Sequence, residues 1–125
     1  MGRIERDIKE LYNRKNINKM DKIFAITSTG KTEKSFMDLR FGKCENVVIF
    51  NATSNQYSVF ENPFRADENS GIQLIEYLKE FEVTSIITGE VGPKVSSLLE
   101  NEKFQLILLS EERIKIEEIM DRIKP

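Results

Sequence analysis

The sequence predicts an α/β domain with a mixed five-stranded sheet of order 3-2-1-4-5, helices on its faces, and an N-terminal helical extension. Its length of 125 residues is the size of one domain. The first three apolar runs of strand length follow one another directly, whereas the last two alternate with helical patterns. Right-handed crossovers then place strands four and five beside strand one.

The helical extension is expected over residues 1–21. Ile4, Ile8 and Leu11 form a narrow apolar stripe at helical spacing among charged residues. An asparagine-rich stretch, residues 13–18, then ends the pattern. The stripe has two interpretations, docking on the chain's own domain or pairing with another subunit. The main domain is expected over residues 22–125.

Five apolar runs predict the strands, at residues 23–26, 47–50, 57–60, 85–88 and 104–109. The first is uninterrupted, as expected for a strand that is covered on both faces. The second and third are separated by a short polar turn, which predicts a hairpin. Pro63 closes the third strand because proline lacks the donor that a strand needs.

Three helices are predicted after the hairpin. The first is capped by Asn69 or Ser70, and its apolar face is Ile72, Leu74, Ile75, Tyr77, Leu78 and Phe81. The second spans residues 91–101, with a proline in its first turn, and buries Val95, Leu98 and Leu99. The last helix carries Ile116, Ile119, Met120 and Ile123 at helical spacing.

Histidine and cysteine counts exclude several kinds of site. The chain has no histidine, which excludes Ser-His-Asp and Cys-His catalysis. Its one cysteine, Cys44, excludes an internal disulfide and a zinc finger built from one chain. Carboxylates, lysines, hydroxyls, one thiol and the backbone remain, so a protein without catalytic turnover is expected.

Charge and hydropathy predict the surroundings of the protein. The formal net charge is −2, so neither nucleic acid nor an anionic membrane is an expected partner. No run of about 18 apolar residues is present, which predicts no membrane-spanning helix. The charged N-terminus lacks an apolar signal core, so a cytoplasmic location is expected.

A ligand crevice is predicted between strands one and four, where the chain connections diverge at their carboxyl ends. The loop after strand one contributes Lys31, Lys34, Arg40 and Lys43. The segment after strand four contributes Gly89, Val91, Gly92 and Pro93, whose glycines allow close approach and whose helix start presents N–H groups. Together they suit an anionic ligand. The alternative is that the glycines only form a turn and the lysines are solvated.

Two kinds of enzyme are not favoured at this crevice. Residues 29–32 read Thr-Gly-Lys-Thr, but a phosphate-binding loop needs an earlier glycine where Ala25 stands. A nuclease of ribonuclease H type needs carboxylates on the first strand, which has none. An enzyme that works through lysine and carboxylate remains a third possibility.

Cys44 stands near the start of the second strand, and two interpretations are open. A single cysteine in a strand is commonly a small buried apolar residue. It is alternatively a soft metal ligand at the mouth of the crevice, with the charge of neighbouring Lys43 favouring its thiolate.

Four short motifs occur in order at suitable intervals: Arg40-Phe41-Gly42, Glu61-Asn62-Pro63, Gly71-Ile72-Gln73 and Gly89-Glu90-Val91-Gly92-Pro93. Together they resemble the dinitrogenase iron–molybdenum cofactor biosynthesis family, which includes NifX- and NafY-like proteins and the C-terminal domain of NifB. The resemblance covers residues 22–123. It implies a ribonuclease H-like fold without nuclease chemistry, and a carrier of an iron–sulfur or iron–molybdenum cluster.

The chain departs from this family at one position. Relatives often have histidine before the Phe-Gly pair, where it can ligate the cluster, whereas this chain has Arg40. The ligand role is therefore not transferred to that position. Arg40 is expected to hold an anion by charge and hydrogen bonds, and Cys44 is the candidate metal ligand.

The functional prediction is a non-catalytic carrier of such a cluster or its precursor, with cluster-assembly proteins as partners. The predicted ligand-binding residues are Arg40, Phe41, Gly42, Gly89, Val91, Gly92 and Pro93. A homodimer is expected because one thiol per chain cannot hold a cluster alone. The alternative is a regulatory or interaction module of the same fold that binds a small anion or a partner protein and no cluster.

Overall fold

The computed structural model describes residues 21–125. The strands are β1 (Ile23–Ser28), β2 (Asn46–Asn51), β3 (Gln56–Glu61), β4 (Ser85–Thr88) and β5 (Gln105–Leu108). The helices are α1 (Ser70–Leu78), α2 (Pro93–Glu100) and α3 (Ile116–Ile123), and a 3₁₀ turn (Lys79–Phe81) continues α1. The predicted helical extension lies outside the described residues, apart from Asp21.

The five strands form one mixed sheet in the order β3-β2-β1-β4-β5, which confirms the predicted topology. β1 pairs antiparallel with β2, and β2 pairs antiparallel with β3. β1 pairs parallel with β4, and β4 pairs parallel with β5. The carboxyl ends of β1 and β4 therefore lie side by side at the same end of the sheet, where the predicted crevice should open.

Two hydrophobic cores lie on opposite faces of the sheet, because alternate residues of each strand point to opposite sides. Ile23 and Ala25 of β1 join the core beneath α1 and α2. Phe24 and Ile26 join the core beneath α3. β1, β2 and β4 are buried along their whole length, as their near-continuous apolar runs predict.

Most predicted boundaries shift by a single residue, and three differences are larger or change the kind of element. β1 continues through Thr27 and Ser28, whose polar side chains are buried in hydrogen bonds. Phe81 is buried as predicted, but in the 3₁₀ turn that follows α1. α2 begins at Pro93 rather than at residue 91, because Gly92 is extended and serves as the N-cap. Within the described part of the chain, no helix is long and apolar enough to cross a membrane.

Candidate functional site

The loop after β1 and the loop after β4 meet at the carboxyl ends of these strands. Glu90 donates its backbone N–H to the carbonyl of Leu39 at 2.7 Å, and Arg40 forms a parallel bridge with Glu90. A Cβ added to Gly89 would lie 2.7 Å from the Cα and carbonyl oxygen of Leu39. Glycine is therefore needed at position 89 so that the two loops can approach.

A cavity of about 560 Å³ opens beside this junction. Five of the predicted ligand-binding residues line it: Arg40, Phe41, Gly42, Val91 and Gly92. The other lining residues are Lys43, Ser70, Gly71, Glu90 and Val95. Gly89 and Pro93 do not line it; the first contacts Leu39, and the second is the first residue of α2.

The cavity lies at the N-termini of two helices, because Ser70 and Gly71 begin α1 and Gly92 precedes α2. Among the described residues, no side chain caps either helix by a hydrogen bond. The first bond within α2 is donated by Ser96 to the carbonyl of Gly92, so the N–H groups of the preceding turn stay available. Two helix N-termini with available N–H groups favour an anion between them.

Arg40 is the cation with the most defined position at the cavity. Its Nε and Nη2 atoms donate to the Oδ1 and Oδ2 atoms of Asp38, each at 3.2 Å. The hydrogen bonds and charge of Asp38 raise the pKa of Arg40, so the guanidinium stays positive. The Arg40 side chain is 52% exposed, and a guanidinium carries five N–H donors. Donors therefore remain for a ligand after the pairing with Asp38.

Asp38 stabilises the loop after β1 as well as orienting Arg40. The carboxylate is buried and also accepts the backbone N–H groups of Arg40, at 3.1 Å, and of Glu45, at 3.2 Å. The Thr27 hydroxyl donates to the Asp38 carbonyl at 2.6 Å, which ties the loop to β1. Asp38 was not among the predicted site residues. Its role as an orienting residue depends on tertiary contacts.

The four predicted cations do not all converge. Arg40 and Lys43 line the cavity, and Lys43 donates its Nζ to the carbonyl of Asp67 at 2.6 Å. Lys31 lies 3.4 Å from a carboxylate oxygen of Glu61, and Lys34 lies 2.9 Å from one of Glu117. The alternative interpretation, in which loop lysines are surface residues, therefore fits Lys31 and Lys34.

Asn62 fixes the other side of the loop. Its buried side chain donates Nδ2 to the carbonyls of Gly42, at 2.9 Å, and Cys44, at 3.0 Å, while its Oδ1 accepts the N–H of Phe64 at 3.0 Å. One amide thereby joins the cavity loop to the segment after β3. This explains in physical terms why the Glu61-Asn62-Pro63 motif accompanies the cavity motif.

Two glycines let the cavity elements approach one another. A Cβ on Gly42 would lie 2.5 Å from the backbone nitrogen of Gly71 and 2.7 Å from the Oγ of Ser70. A Cβ on Gly71 would overlap the Cγ2 atom of Val95, so α1 and α2 also approach closely here. Ser70, Gly71 and Val95 were not among the predicted site residues, because only folding brings these helix ends to the crevice.

Cys44 lies in the core and does not line the cavity, so the structure does not bring the predicted metal ligand together with the predicted ligand-binding residues. Its side chain is 0% exposed among the residues beneath α1 and α2. Burial, and secondarily the charge of Asp38, raise the pKa of the thiol to about 12, so the thiol keeps its proton at neutral pH. Within residues 21–125, no group of three or more His, Cys, Asp or Glu is arranged to hold a metal ion.

This burial predicts a loss of stability in alkali. The free energy of unfolding should fall from about pH 9 towards pH 12, because the unfolded thiol ionises near 9.0 and the folded thiol only near 12. The loss attributable to Cys44 is about 1.4 kcal/mol per pH unit within that range. Urea titrations of the wild type and Cys44→Ala at several pH values measure it. Equal pH dependence of the two proteins would contradict the assignment.

Known proteins show the family of this chain and share its fold. A family model described as dinitrogenase iron-molybdenum cofactor matches residues 20–125. The apo form of the orange protein from Desulfovibrio gigas aligns with a TM-score of 0.73 at 21% sequence identity, covering 81% of this chain and 85% of that one. A Thermotoga protein described as a member of the DUF35 family aligns with a TM-score of 0.68 at 24% sequence identity, covering 80% of this chain and 84% of that one. No curated protein matches the chain.

Proposed function

Because the chain belongs to the dinitrogenase iron–molybdenum cofactor family, we propose that it is a non-catalytic binding or carrier protein for an iron–sulfur or iron–molybdenum cluster, or its precursor. The cavity at the two helix N-termini is the proposed binding site. The observation that supports it most is the convergence of two uncapped helix starts with the oriented guanidinium of Arg40. Proteins that assemble or accept the cluster are the expected partners.

The donor set of the cavity restricts the kind of cluster. Its described lining has no thiol or imidazole, and beside the carboxylate of Glu90 it offers N–H groups, a guanidinium and an ammonium. Such groups hold anions and do not replace the soft ligands of iron or molybdenum. We therefore propose a cargo that brings its own sulfide ligands and carries negative charge. Its sulfides would accept hydrogen bonds from the cavity.

Direct binding under anaerobic conditions tests the proposal. Equilibrium dialysis should show retention of tetrathiomolybdate, a sulfide-terminated anion, in preference to molybdate, its oxygen analogue of equal charge. When iron and sulfide are added to the same protein, a coloured iron–sulfide species should remain bound in a fixed ratio to the protein. Failure to retain either metal species would contradict the carrier function.

Gly92 provides a sharp variant for this experiment. A Cβ at this position meets nothing within 4 Å, and the backbone is extended, so a side chain fits. Gly92→Asp should cap α2, stabilise the fold by a few tenths of a kcal/mol, and abolish anion retention by placing a carboxylate at the cavity. Gly92→Ala leaves the N–H groups available and should bind as the wild type does. Unchanged binding by Gly92→Asp would exclude this cavity as the site.

The absence of a soft ligand from the described cavity lining also favours one alternative, a regulatory module that binds a small oxyanion. In that case molybdate or phosphate should bind at least as tightly as tetrathiomolybdate. Gly92→Asp should then abolish their binding as well. The preference between sulfide and oxygen anions therefore separates the two functions, while Gly92→Asp identifies the site for both.

A further inference from the structure

The strands at the two ends of the sheet, β3 and β5, differ in character. β3 contains both polar and apolar residues and ends at Glu61, and its Tyr57 is 41% exposed. β5 lies within an uncharged run, residues 104–110, and its Leu108 is 52% exposed. Edge strands are usually protected from association by lysine, proline or a covering segment. The run around β5 contains neither lysine nor proline.

The hydrogen bonds of β5 show which backbone groups face outward. Gln105 donates to the carbonyl of Thr84, and Leu109 donates to that of Thr88, each at 2.9 Å. Alternate residues of a strand direct their N–H and C=O groups to the same side. Leu106 and Leu108 therefore direct theirs away from β4. Among the described strands, none pairs with this side of β5.

We propose that β5 pairs antiparallel with β5 of a second copy of this chain across a two-fold axis. Ile107 lies at the axis, and Leu106 lies opposite Leu108 of the second copy. Each of the two reciprocal pairs exchanges two N–H···O bonds, since both residues present their backbone groups outward. This register also brings the exposed Leu108 against Leu106, a half-buried residue on the same face of the sheet.

The charges at the ends of the run favour the antiparallel orientation. Lys103 precedes the run, after a Glu102 that is paired with Lys79, and Glu111 and Glu112 follow it. Arg122 binds Glu111 at 2.8 Å, which offsets part of its charge, whereas Glu112 is exposed. Antiparallel pairing places the basic end of one strand near the acidic end of the other. Parallel pairing would place like charges side by side.

The proposed dimer has a consequence for cargo, which rests on the proposed function. Antiparallel strands direct their carboxyl ends in opposite directions, so the two cavities open at opposite ends of the ten-stranded sheet. Each copy then binds its own cargo. This differs from a dimer that shares one cluster between two Cys44 thiols, and the burial of Cys44 in the core agrees with the difference.

Molar mass in solution tests the dimer independently of cargo. Sedimentation equilibrium of the full chain should show a mass rising from 14.5 kDa towards twice that value with concentration. The association should be weak and reversible, because a four-residue edge is a small interface. Leu108→Lys should give a monomer throughout. A wild type that is monomeric at all concentrations would overturn the proposal.

Tyr57→Lys is the matched control, because it places the same charge on the opposite edge strand. It should leave the association unchanged, and monomer formation by this variant would assign the interface to β3. Amide hydrogen exchange gives a second readout. Leu106 and Leu108 should become protected only as concentration rises. Protection independent of concentration would mean that the chain's own residues cover the edge, and would overturn the dimer.

Discussion

Replacing Arg40 with alanine is expected to weaken retention of tetrathiomolybdate by about tenfold to a hundredfold, the effect of losing charge-assisted hydrogen bonds at a half-exposed site. Arg40 is held by Asp38 with donors to spare, so its guanidinium is already oriented when a ligand arrives. Equilibrium dialysis of each variant without oxygen measures the effect. Wild-type retention by Arg40→Ala would exclude this residue as an anion contact.

Three further variants separate charge from orientation. Lys31→Ala removes the same charge from the same loop. Lys31 pairs with Glu61 and does not line the cavity, so retention of tetrathiomolybdate should not change. Arg40→Lys keeps the charge but loses the planar fork and should give an intermediate loss. Asp38→Asn leaves Arg40 in the chain but removes the carboxylate that orients its guanidinium. It should therefore weaken retention of tetrathiomolybdate, although it also removes a negative charge. Stronger retention by Asp38→Asn would mean that net charge alone governs binding.

Replacing Asn62 with leucine should lower the free energy of unfolding by about 3–5 kcal/mol, because buried backbone groups would lose their hydrogen-bond partner. The carbonyls of Gly42 and Cys44 and the N–H of Phe64 all depend on this amide. Urea titration followed by circular dichroism measures the loss. The cavity loop should also become more accessible to proteases, because it would no longer be tied to the segment after β3.

Asn101→Leu provides the comparison for this loss. Asn101 follows α2 and is exposed. Its side chain donates one long hydrogen bond, of 3.4 Å, to the carbonyl of Ser97. Its substitution should change the free energy of unfolding by less than about 0.5 kcal/mol. If both asparagine variants lost the same small amount, Asn62 would not be holding the loop.

The topology was predictable because the signals that define it are local. Apolar runs of strand length and helical spacing identify the elements, and the handedness of crossovers limits how they combine. The structure confirms the order β3-β2-β1-β4-β5. The sequence did not predict the polar end of β1. The hydroxyl of Thr27 is buried against Thr88, which is distant in sequence, and that of Ser28 donates to a carbonyl in the irregular loop that follows.

The site was predictable to the level of its loops. The glycine-rich segment after β4 and the basic loop after β1 indicate a crevice. Arg40, Phe41 and Gly42 line the cavity that the structure has there. The sequence could not distinguish a glycine that admits a ligand from one that admits a neighbouring loop. Gly89 is of the second kind, since its missing side chain makes room for Leu39. Tertiary contacts alone make that distinction.

The residues that orient the site were the hardest to predict. Asp38 and Asn62 lie in irregular segments, where no periodicity marks a buried polar side chain. Their importance comes from the number of backbone groups that each one satisfies, and three of those groups belong to residues 7, 18 and 20 positions away. Cys44 shows the converse, because neighbouring Lys43 suggested a thiolate and the fold buried the thiol instead.

The contact of Gly71 with Val95 bears on how members of this fold can diverge. It sets the spacing of α1 and α2, and with it the width of the cavity between their N-termini. A larger residue at position 71 would move the helices apart without changing Arg40, and a change at Arg40 would leave the spacing unaltered. In the proposed carrier, selectivity for the size of the cargo would therefore depend on different residues from selectivity for its charge, and the two could evolve separately.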